Sequence, residues 1–148
     1  MDDELVFTGR IVSGVRKAAF FTQLDWVQNQ CLEKLGFRPY PGTLNLEINQ
    51  DDLPVIENLQ KMDTEELIPA DPNFCTAKVL TVSLGSARGA IIIPAEDVQV
   101  HGKNIVEIIA PIRIKEALKV NDGDSVTVII TEDHLQKGFK GSRIQGFE

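Results

Sequence analysis

Six short segments of this chain carry the β-branched and aliphatic residues typical of strands, and turn residues flank most of them. Only two or three stretches have helical spacing. Many short strands with few helices are typical of a closed or nearly closed β-barrel. In the first strand we expect Val6, Ile11 and Val12 to point into the core. The sequence therefore predicts a mainly β fold with six strands, at residues 5–13, 43–48, 75–84, 90–93, 105–110 and 125–130.

The helical stretches have recognisable ends. Residues 24–35 form the strongest candidate, which Asp25 is expected to cap at its N-terminus and Gly36 to end. A second helix is expected to begin at residues 51–54, where two aspartates precede Leu-Pro. A short third helix is predicted at residues 114–118.

A chain of 148 residues has the size of one domain. No internal repeat or linker divides it, so we expect one barrel domain over residues 1–132. Residues 133–148 are polar and carry three glycines, which predicts a flexible tail. Residues 62–73 are acidic and contain prolines, and we expect them to cross the surface as an excursion between elements.

The sequence lacks the signals expected of a secreted or membrane-spanning protein. Residues 1–4 are acidic rather than basic and apolar, and no apolar run approaches the roughly 20 residues that cross a bilayer. Cys31 and Cys75 are far apart and lack the spacing of metal ligands, which disfavours a disulfide framework or a zinc site. We therefore expect a cytoplasmic protein with no membrane partner.

The net charge of −7 narrows the choice of partners. Binding to the phosphate backbone of a nucleic acid needs clustered Lys and Arg, and the sequence has no long basic stripe. We therefore expect no nucleic-acid partner. A mononucleotide is compatible with this charge, because backbone N–H groups and a metal ion can hold its phosphates.

Residues 36–48 combine a stiff turn with a strand. Two prolines and Gly42 restrict the turn, and a period-two alternation follows at once. Leu44, Leu46 and Ile48 point to one side of this strand. Thr43 and Asn45 lie on the other side, roughly 6.6 Å apart at Cα, so that they could share one ligand.

The Pro-Tyr-Pro-Gly-Thr-Leu-Asn-Leu block at residues 39–46 resembles the signature of the archaeal-type CTP-dependent riboflavin kinases. Four further segments agree with that family in order and spacing, at residues 9–14, 89–94, 106–111 and 120–126. The resemblance implies a six-stranded cradle-loop barrel that uses Mg²⁺, takes CTP as phosphoryl donor and riboflavin as acceptor, and releases FMN and CDP.

The resemblance also implies roles for individual residues. Thr43 and Asn45 match the metal ligands, and Glu107 matches a residue that contacts the flavin. The threonine that contacts the flavin in the family aligns with Gln99. The remaining matches are nucleotide-binding positions, namely Gly14, Val15, Arg16, Lys17, Ala18, Ala19, Ile112, Arg113, Ile114 and Lys115. No residue is assigned as the catalytic base.

Residues 14–19 depart from the family pattern. The related enzymes carry a glycine-rich run here, whereas this chain keeps only Gly14, so part of the close backbone approach to the nucleotide is lost. Arg16 and Lys17 could instead contact phosphates through their side chains. The donor nucleotide and catalytic competence therefore stay open.

Three readings of function follow. The first is the kinase, and the second is a catalytically altered nucleotide- or flavin-binding module on the same barrel. The third is a small DNA-binding or regulatory barrel, which the negative charge disfavours. Glu107 lies in an apolar run, where a carboxylate either faces solvent or is buried with a partner. Asp122-Gly123-Asp124 is expected to form a hairpin turn rather than a calcium loop.

Overall fold

The computed structural model describes residues 5–14, 17–70, 72–74, 76–94 and 104–130, with the backbone alone at 17, 18 and 94. These residues form seven strands and four α-helices. In chain order they are β1 Leu5–Val12, α1 Lys17–Thr22, α2 Asp25–Leu35, β2 Leu44–Ile48, α3 Leu53–Lys61, β3 Glu65–Leu67, β4 Ala77–Leu84, β5 Ala87–Pro94, β6 Ile105–Ile109, α4 Ile114–Leu118 and β7 Ser125–Ile130.

Six antiparallel strands close into a barrel in the order β4-β5-β6-β2-β1-β7. The barrel closes where Val82 and Ser83 of β4 pair with Ile130 and Ile129 of β7. The prediction of a mainly β, six-stranded barrel with a few short helices is confirmed. Closure leaves each of these strands paired on both sides, which removes the exposed edges of an open sheet.

Strand β3 lies within the segment that was expected to be a surface excursion, so that prediction was wrong for Glu65–Leu67. It pairs with β4 at Ala77–Val79, on the stretch of the β4 edge that β7 does not cover. Leu67 is fully buried. Strand β3 therefore pairs with the part of the β4 edge that β7 leaves free.

The barrel interior is filled by the side chains that alternate inwards along each strand. In β1 these are Phe7 and Ile11, which are each 1% exposed, while Val6 is 43% exposed. The expectation that Val6 is a core residue was wrong, because Val6 and Ile11 have opposite parity on a strand. Val12 is only half-buried.

Helix α2 covers the outer face of the barrel. Val27 and Cys31 pack there against Leu67, Val79 and Ile109. Gly36 ends the helix as predicted, at φ 86°, and its N–H donates to the carbonyls of Cys31 and Leu32. The N-cap residue, however, is Leu24.

Asp25 is the first residue of α2 and not its cap, and the cap makes no side-chain hydrogen bond, so the predicted role of Asp25 was wrong. Its carboxylate still lies in the first turn, where a negative charge favours the helix dipole. Helix α3 begins with Leu53 and Pro54, as the sequence predicted. Within the described ranges, no helix has the length and apolar character needed to span a membrane.

Candidate active site

A rigid turn presents Thr43 at the start of β2. Gly42 takes φ 104°, which favours glycine, and its N–H donates a 2.8 Å hydrogen bond to Oγ1 of Thr22. Two residues earlier, the Tyr40 N–H donates to the carbonyl of Ala110 at 2.7 Å. The turn is therefore attached both to the end of α1 and to the segment that follows β6.

Thr22 and Gln28 support this turn from beneath. Thr22 is fully buried, and its hydroxyl donates to the Ala19 carbonyl at 3.1 Å while accepting from Gly42. Nε2 of Gln28 donates to the carbonyls of Thr22 and Pro39, at 2.6 and 3.0 Å. Sequence reasoning missed both residues, because a lone Thr and a lone Gln in helices carry no motif.

Thr43, Asn45 and Glu107 meet at one place on the barrel. Asn45 and Glu107 are cross-strand partners between β2 and β6. The hydroxyl of Thr43 donates a 3.0 Å hydrogen bond to Oε1 of Glu107. Of the two readings of this carboxylate, burial with a partner is the one that the structure shows, since Glu107 is half-buried and bonded to Thr43.

Asn45 is only 6% exposed, yet its side-chain oxygen has no hydrogen-bond partner among the described residues. Nδ2 donates to the carbonyl and to Oγ1 of Thr43, at 3.3 and 3.4 Å. Leaving a buried acceptor without a hydrogen bond costs about 1–3 kcal/mol. Such an oxygen is a position at which a ligand restores the missing interaction.

Gly14, two residues beyond the end of β1, packs directly against this amide. A methyl group built at Gly14 would overlap the side chain of Asn45 and lie 2.7 Å from its Oδ1. Of the other predicted loop residues, Val15 and Arg16 lie outside the described residues. Lys17, Ala18 and Ala19 belong to α1.

A groove of about 170 Å³ opens beside Thr43. Residues 112–115, which were predicted to bind the nucleotide, all line this groove, and so does Thr43. The lining consists of Tyr40, Pro41, Gly42, Thr43, Leu44, Ile108, Ala110, Ile112, Arg113, Ile114 and Lys115. The structure therefore brings the turn, the end of β6 and helix α4 to one site.

The two cations of the groove have acidic neighbours. Arg113 pairs with Glu116 at 2.8 Å, and Nζ of Lys115 lies 2.6 Å from Oδ1 of Asp122. Asp122 also accepts a 3.1 Å hydrogen bond from the hydroxyl of Ser13. The hydrogen bonds from Lys115 and Ser13, together with the charge of Lys115, hold the pKa of Asp122 below its usual value.

The described part of the chain offers little support for a cysteine nucleophile or for a metal site built from His, Cys, Asp or Glu. Gln99, predicted to contact a flavin, lies outside the described residues, as does the tail at 133–148. Cys31 is buried, and desolvation raises the pKa of its thiol to about 11, which makes it a poor nucleophile. Among the described residues, no three His, Cys, Asp or Glu side chains converge as a metal site.

The oxygens of Thr43 and Asn45 fit a hard cation such as Mg²⁺, which prefers oxygen ligands. The hydroxyl of Thr43 donates its hydrogen to Glu107 and accepts a 3.4 Å hydrogen bond from Nδ2 of Asn45, which leaves one lone pair on its oxygen for a cation. Oδ1 of Asn45 accepts no hydrogen bond from the described part of the chain. Two uncharged ligands bind Mg²⁺ weakly by themselves, so such a site needs the phosphates of a substrate to complete it.

The chain is therefore a small closed β-barrel whose polar side chains lie beside a groove that carries two cations. The family model CTP-dep_RFKase, described as domain of unknown function DUF120, matches residues 11–130. The chain therefore belongs to the CTP-dependent riboflavin kinase family. The resemblance inferred from the sequence is confirmed, and so is the predicted class, a kinase family.

Three relatives named riboflavin kinase illustrate the match. The protein of Methanobrevibacter smithii is 36% identical over 121 residues, which cover 81% of this chain and 95% of the relative. Those of Pyrobaculum aerophilum and Thermococcus kodakarensis are 33% and 34% identical, over 82% and 86% of this chain. This chain covers 59% of each of these last two proteins, whose own sequences are longer.

Proposed function

We propose that this protein transfers the terminal phosphoryl group of CTP to riboflavin, giving FMN and CDP, with Mg²⁺ held by Thr43 and Asn45. The observation that carries the proposal is the buried Oδ1 of Asn45, which has no hydrogen-bond partner among the described residues. The amide nitrogen of the same side chain contacts the hydroxyl of Thr43, and Thr43 lines the groove. Membership of the riboflavin kinase family supports the same reaction.

The groove suits a nucleoside triphosphate. Tyr40 and Ile112 are 46% and 44% exposed and offer apolar surface to a base. Arg113 and Lys115 lie on the same lining and offer cationic donors to phosphate oxygens. Gly14, at the start of the altered loop, lies against Asn45 and would place that loop near the phosphates.

Phosphoryl transfer depends mainly on positioning and charge stabilisation. In the proposed reaction the primary ribityl hydroxyl oxygen bonds to the γ-phosphorus. The bond between that phosphorus and the β–γ bridging oxygen breaks, the electron pair stays on CDP, and the hydroxyl proton passes to solvent as FMN forms. When bound, Mg²⁺ supplies positive charge to the phosphate oxygens. Glu107 accepts the hydrogen bond of the Thr43 hydroxyl, and its proposed role, shared with Gln99, is to orient the flavin substrate.

A second candidate function is binding without transfer. The favouring observation is the replacement of the family's glycine-rich run by Gly14, Val15, Arg16, Lys17, Ala18 and Ala19, which changes how a polyphosphate can be wrapped. The retained pair of Thr43 and Asn45 favours the kinase instead.

One assay tests the proposal. The protein is incubated with riboflavin, Mg²⁺ and, in turn, CTP, ATP, GTP or UTP, and FMN is separated from riboflavin by chromatography. We expect FMN and an equal amount of CDP with CTP. FMN with another triphosphate alone would correct the donor. Absence of FMN with all four, together with a thermal shift on adding a nucleotide or riboflavin, would replace the kinase by the binding module.

A further inference from the structure

The turn between α4 and β7 is fixed to the barrel by backbone hydrogen bonds. The Gly123 N–H donates to the Ile11 carbonyl, and the Ile11 N–H donates to the Asp124 carbonyl, both at 2.8 Å. The carboxylate of Asp124 accepts from the Asn121 N–H at 2.8 Å within the turn. Gly123 takes φ 95°. Asp122 therefore projects from a turn whose position relative to β1 is set.

Asp122 uses both of its carboxylate oxygens to connect two parts of the candidate site. Oδ1 accepts from Nζ of Lys115 at 2.6 Å, and Oδ2 accepts from the hydroxyl of Ser13 at 3.1 Å. Lys115 belongs to the groove lining, while Ser13 precedes Gly14, which packs against Asn45. One side chain thus joins helix α4 to the end of β1.

The ion pair between Lys115 and Asp122 contributes little to the stability of the fold. The side chains of Lys115 and Asp122 are 33% and 51% exposed, and ion pairs at that exposure add little to stability because water screens them. An ammonium group has three N–H donors, and Asp122 occupies one of them. The other two donors have no partner in the described part of the chain, so they can serve a ligand in the groove. The carboxylate is ionised across the neutral range, since both contacts lower its pKa.

We infer that Asp122 is a positioning residue for the nucleotide, which acts by holding the ammonium group of Lys115 at the groove. A lysine side chain has many rotamers, and fixing it before the ligand arrives removes an ordering cost from the binding step. The inference rests on the proposed function only in taking the groove as the nucleotide site. It assigns Asp122 no contact with the reacting atoms.

The first test is Asp122→Asn, which keeps the size of the side chain and removes its charge. We expect the KM for CTP to rise about threefold to tenfold, because a charge-assisted hydrogen bond to Lys115 is lost. The kcat and the KM for riboflavin should stay within about twofold, since no reacting group is altered. Glu47→Gln is the matched control, because Glu47 forms an exposed ion pair with Arg10, outside the groove lining.

The second test is a double-mutant cycle with Lys115→Met, read by calorimetric titration of CTP in the presence of Mg²⁺. If Asp122 acts through Lys115, Asp122→Asn weakens CTP binding in the wild-type background and has no further effect in Lys115→Met. Ser13→Ala should change CTP binding by less than about twofold, because the hydroxyl of Ser13 carries no charge and its hydrogen bond to Asp122 is longer than that of Lys115.

The outcomes separate this inference from the proposed function. If the wild type forms FMN but Asp122→Asn binds CTP as tightly as the wild type or more tightly, the inference is overturned and the kinase assignment stands. Equal losses from Asp122→Asn in both backgrounds would also overturn the inference. If the wild type binds CTP without forming FMN, and the variants show that Asp122→Asn has no further effect in Lys115→Met, the kinase assignment is overturned and the inference stands. A wild type that does not bind CTP would overturn both.

Discussion

The hydroxyl of Thr43 donates a 3.0 Å hydrogen bond to Oε1 of Glu107, a residue 64 positions further along the chain. The bond joins a predicted metal ligand to a residue predicted to contact the flavin. It uses the hydroxyl hydrogen and leaves the oxygen able to accept from, or coordinate, a further group. Glu107 therefore has a structural role at the site before any substrate is considered.

The first prediction concerns the charge of Glu107. Glu107→Gln retains the size of the side chain but replaces a charged acceptor of the Thr43 hydroxyl by a neutral one. We expect the rate of FMN formation to fall by about 10- to 100-fold, in line with the loss of a charged hydrogen bond. The measurement is the initial rate at saturating CTP and riboflavin.

Glu47→Gln serves as the control for this variant as well. Glu47 lies on the same strand as Asn45 but pairs with Arg10, which is 55% exposed. Its loss should leave the rate within about twofold, because an exposed pair contributes little. A Glu107→Gln enzyme as fast as Glu47→Gln would show that the hydroxyl needs no charged acceptor.

The second prediction concerns the contact between Gly14 and Asn45. Gly14→Ala places a methyl group where the Asn45 amide lies, so the amide must move. We expect FMN formation to fall by at least about tenfold, and the free energy of unfolding to fall by about 1–3 kcal/mol from overpacking. Chemical denaturation and the FMN assay measure the two effects.

An Asn45→Ala background provides the control for Gly14→Ala. Once the amide is removed, the methyl group at residue 14 should cost much less stability, so the two substitutions should be strongly non-additive. Additive losses of unfolding free energy would mean that Gly14 is constrained by something other than Asn45.

The third prediction concerns the buried hydroxyl of Thr22. Thr22→Val preserves the shape but removes the acceptor of the Gly42 N–H, 2.8 Å away. We expect the free energy of unfolding to fall by about 1–3 kcal/mol, because a backbone donor loses its partner. FMN formation should also fall, since Thr43 follows directly from this turn.

Thr127→Val is the matched control for Thr22→Val. Thr127 is exposed on β7, and among the described residues its hydroxyl makes one long contact, 3.4 Å to the hydroxyl of Thr8. The substitution should change the free energy of unfolding by less than about 0.5 kcal/mol. Similar losses in the two variants would remove the special role assigned to Thr22.

The fourth prediction concerns the order of metal and nucleotide binding. Because Thr43 and Asn45 provide uncharged ligands, we expect Mg²⁺ to bind appreciably only when CTP supplies phosphate oxygens. Calorimetric titration of Mg²⁺ into the protein, with and without a non-hydrolysable CTP analogue, measures this linkage. Tight binding of Mg²⁺ to the protein alone would contradict the proposed ligand set.

Local patterns in the sequence predicted most of the barrel. Helix α4 and strand β7 begin and end where expected, because turn residues bound them closely. The three-residue strand β3 could not be foreseen, since Glu65-Glu66-Leu67 is too short to show alternation. It forms because the neighbouring edge of β4 is free to pair with it.

The candidate site was predictable only in part. Thr43 and Asn45 follow a stiff turn at strand spacing, and their placement together could be inferred from that local pattern. The contacts of Thr22 with Gly42, and of Asp122 with Ser13, span 20 and 109 positions. Such contacts depend on how the chain closes on itself, which no local pattern specifies.

The fifth prediction tests the central claim, that the buried oxygen of Asn45 serves the phosphoryl transfer. Asn45→Ala removes that oxygen, a buried acceptor that makes no hydrogen bond to the described residues, and so removes the cost of burying it unpaired. The free energy of unfolding should therefore change by no more than about 1 kcal/mol, because the lost packing is offset. Circular dichroism and chemical denaturation verify the fold of the variant.

The decisive measurement is the rate of FMN formation from riboflavin and CTP by Asn45→Ala relative to the wild type, at saturating Mg²⁺. The account predicts a fall of at least about 100-fold in a variant that remains folded. A folded Asn45→Ala protein that forms FMN within about threefold of the wild-type rate would contradict it.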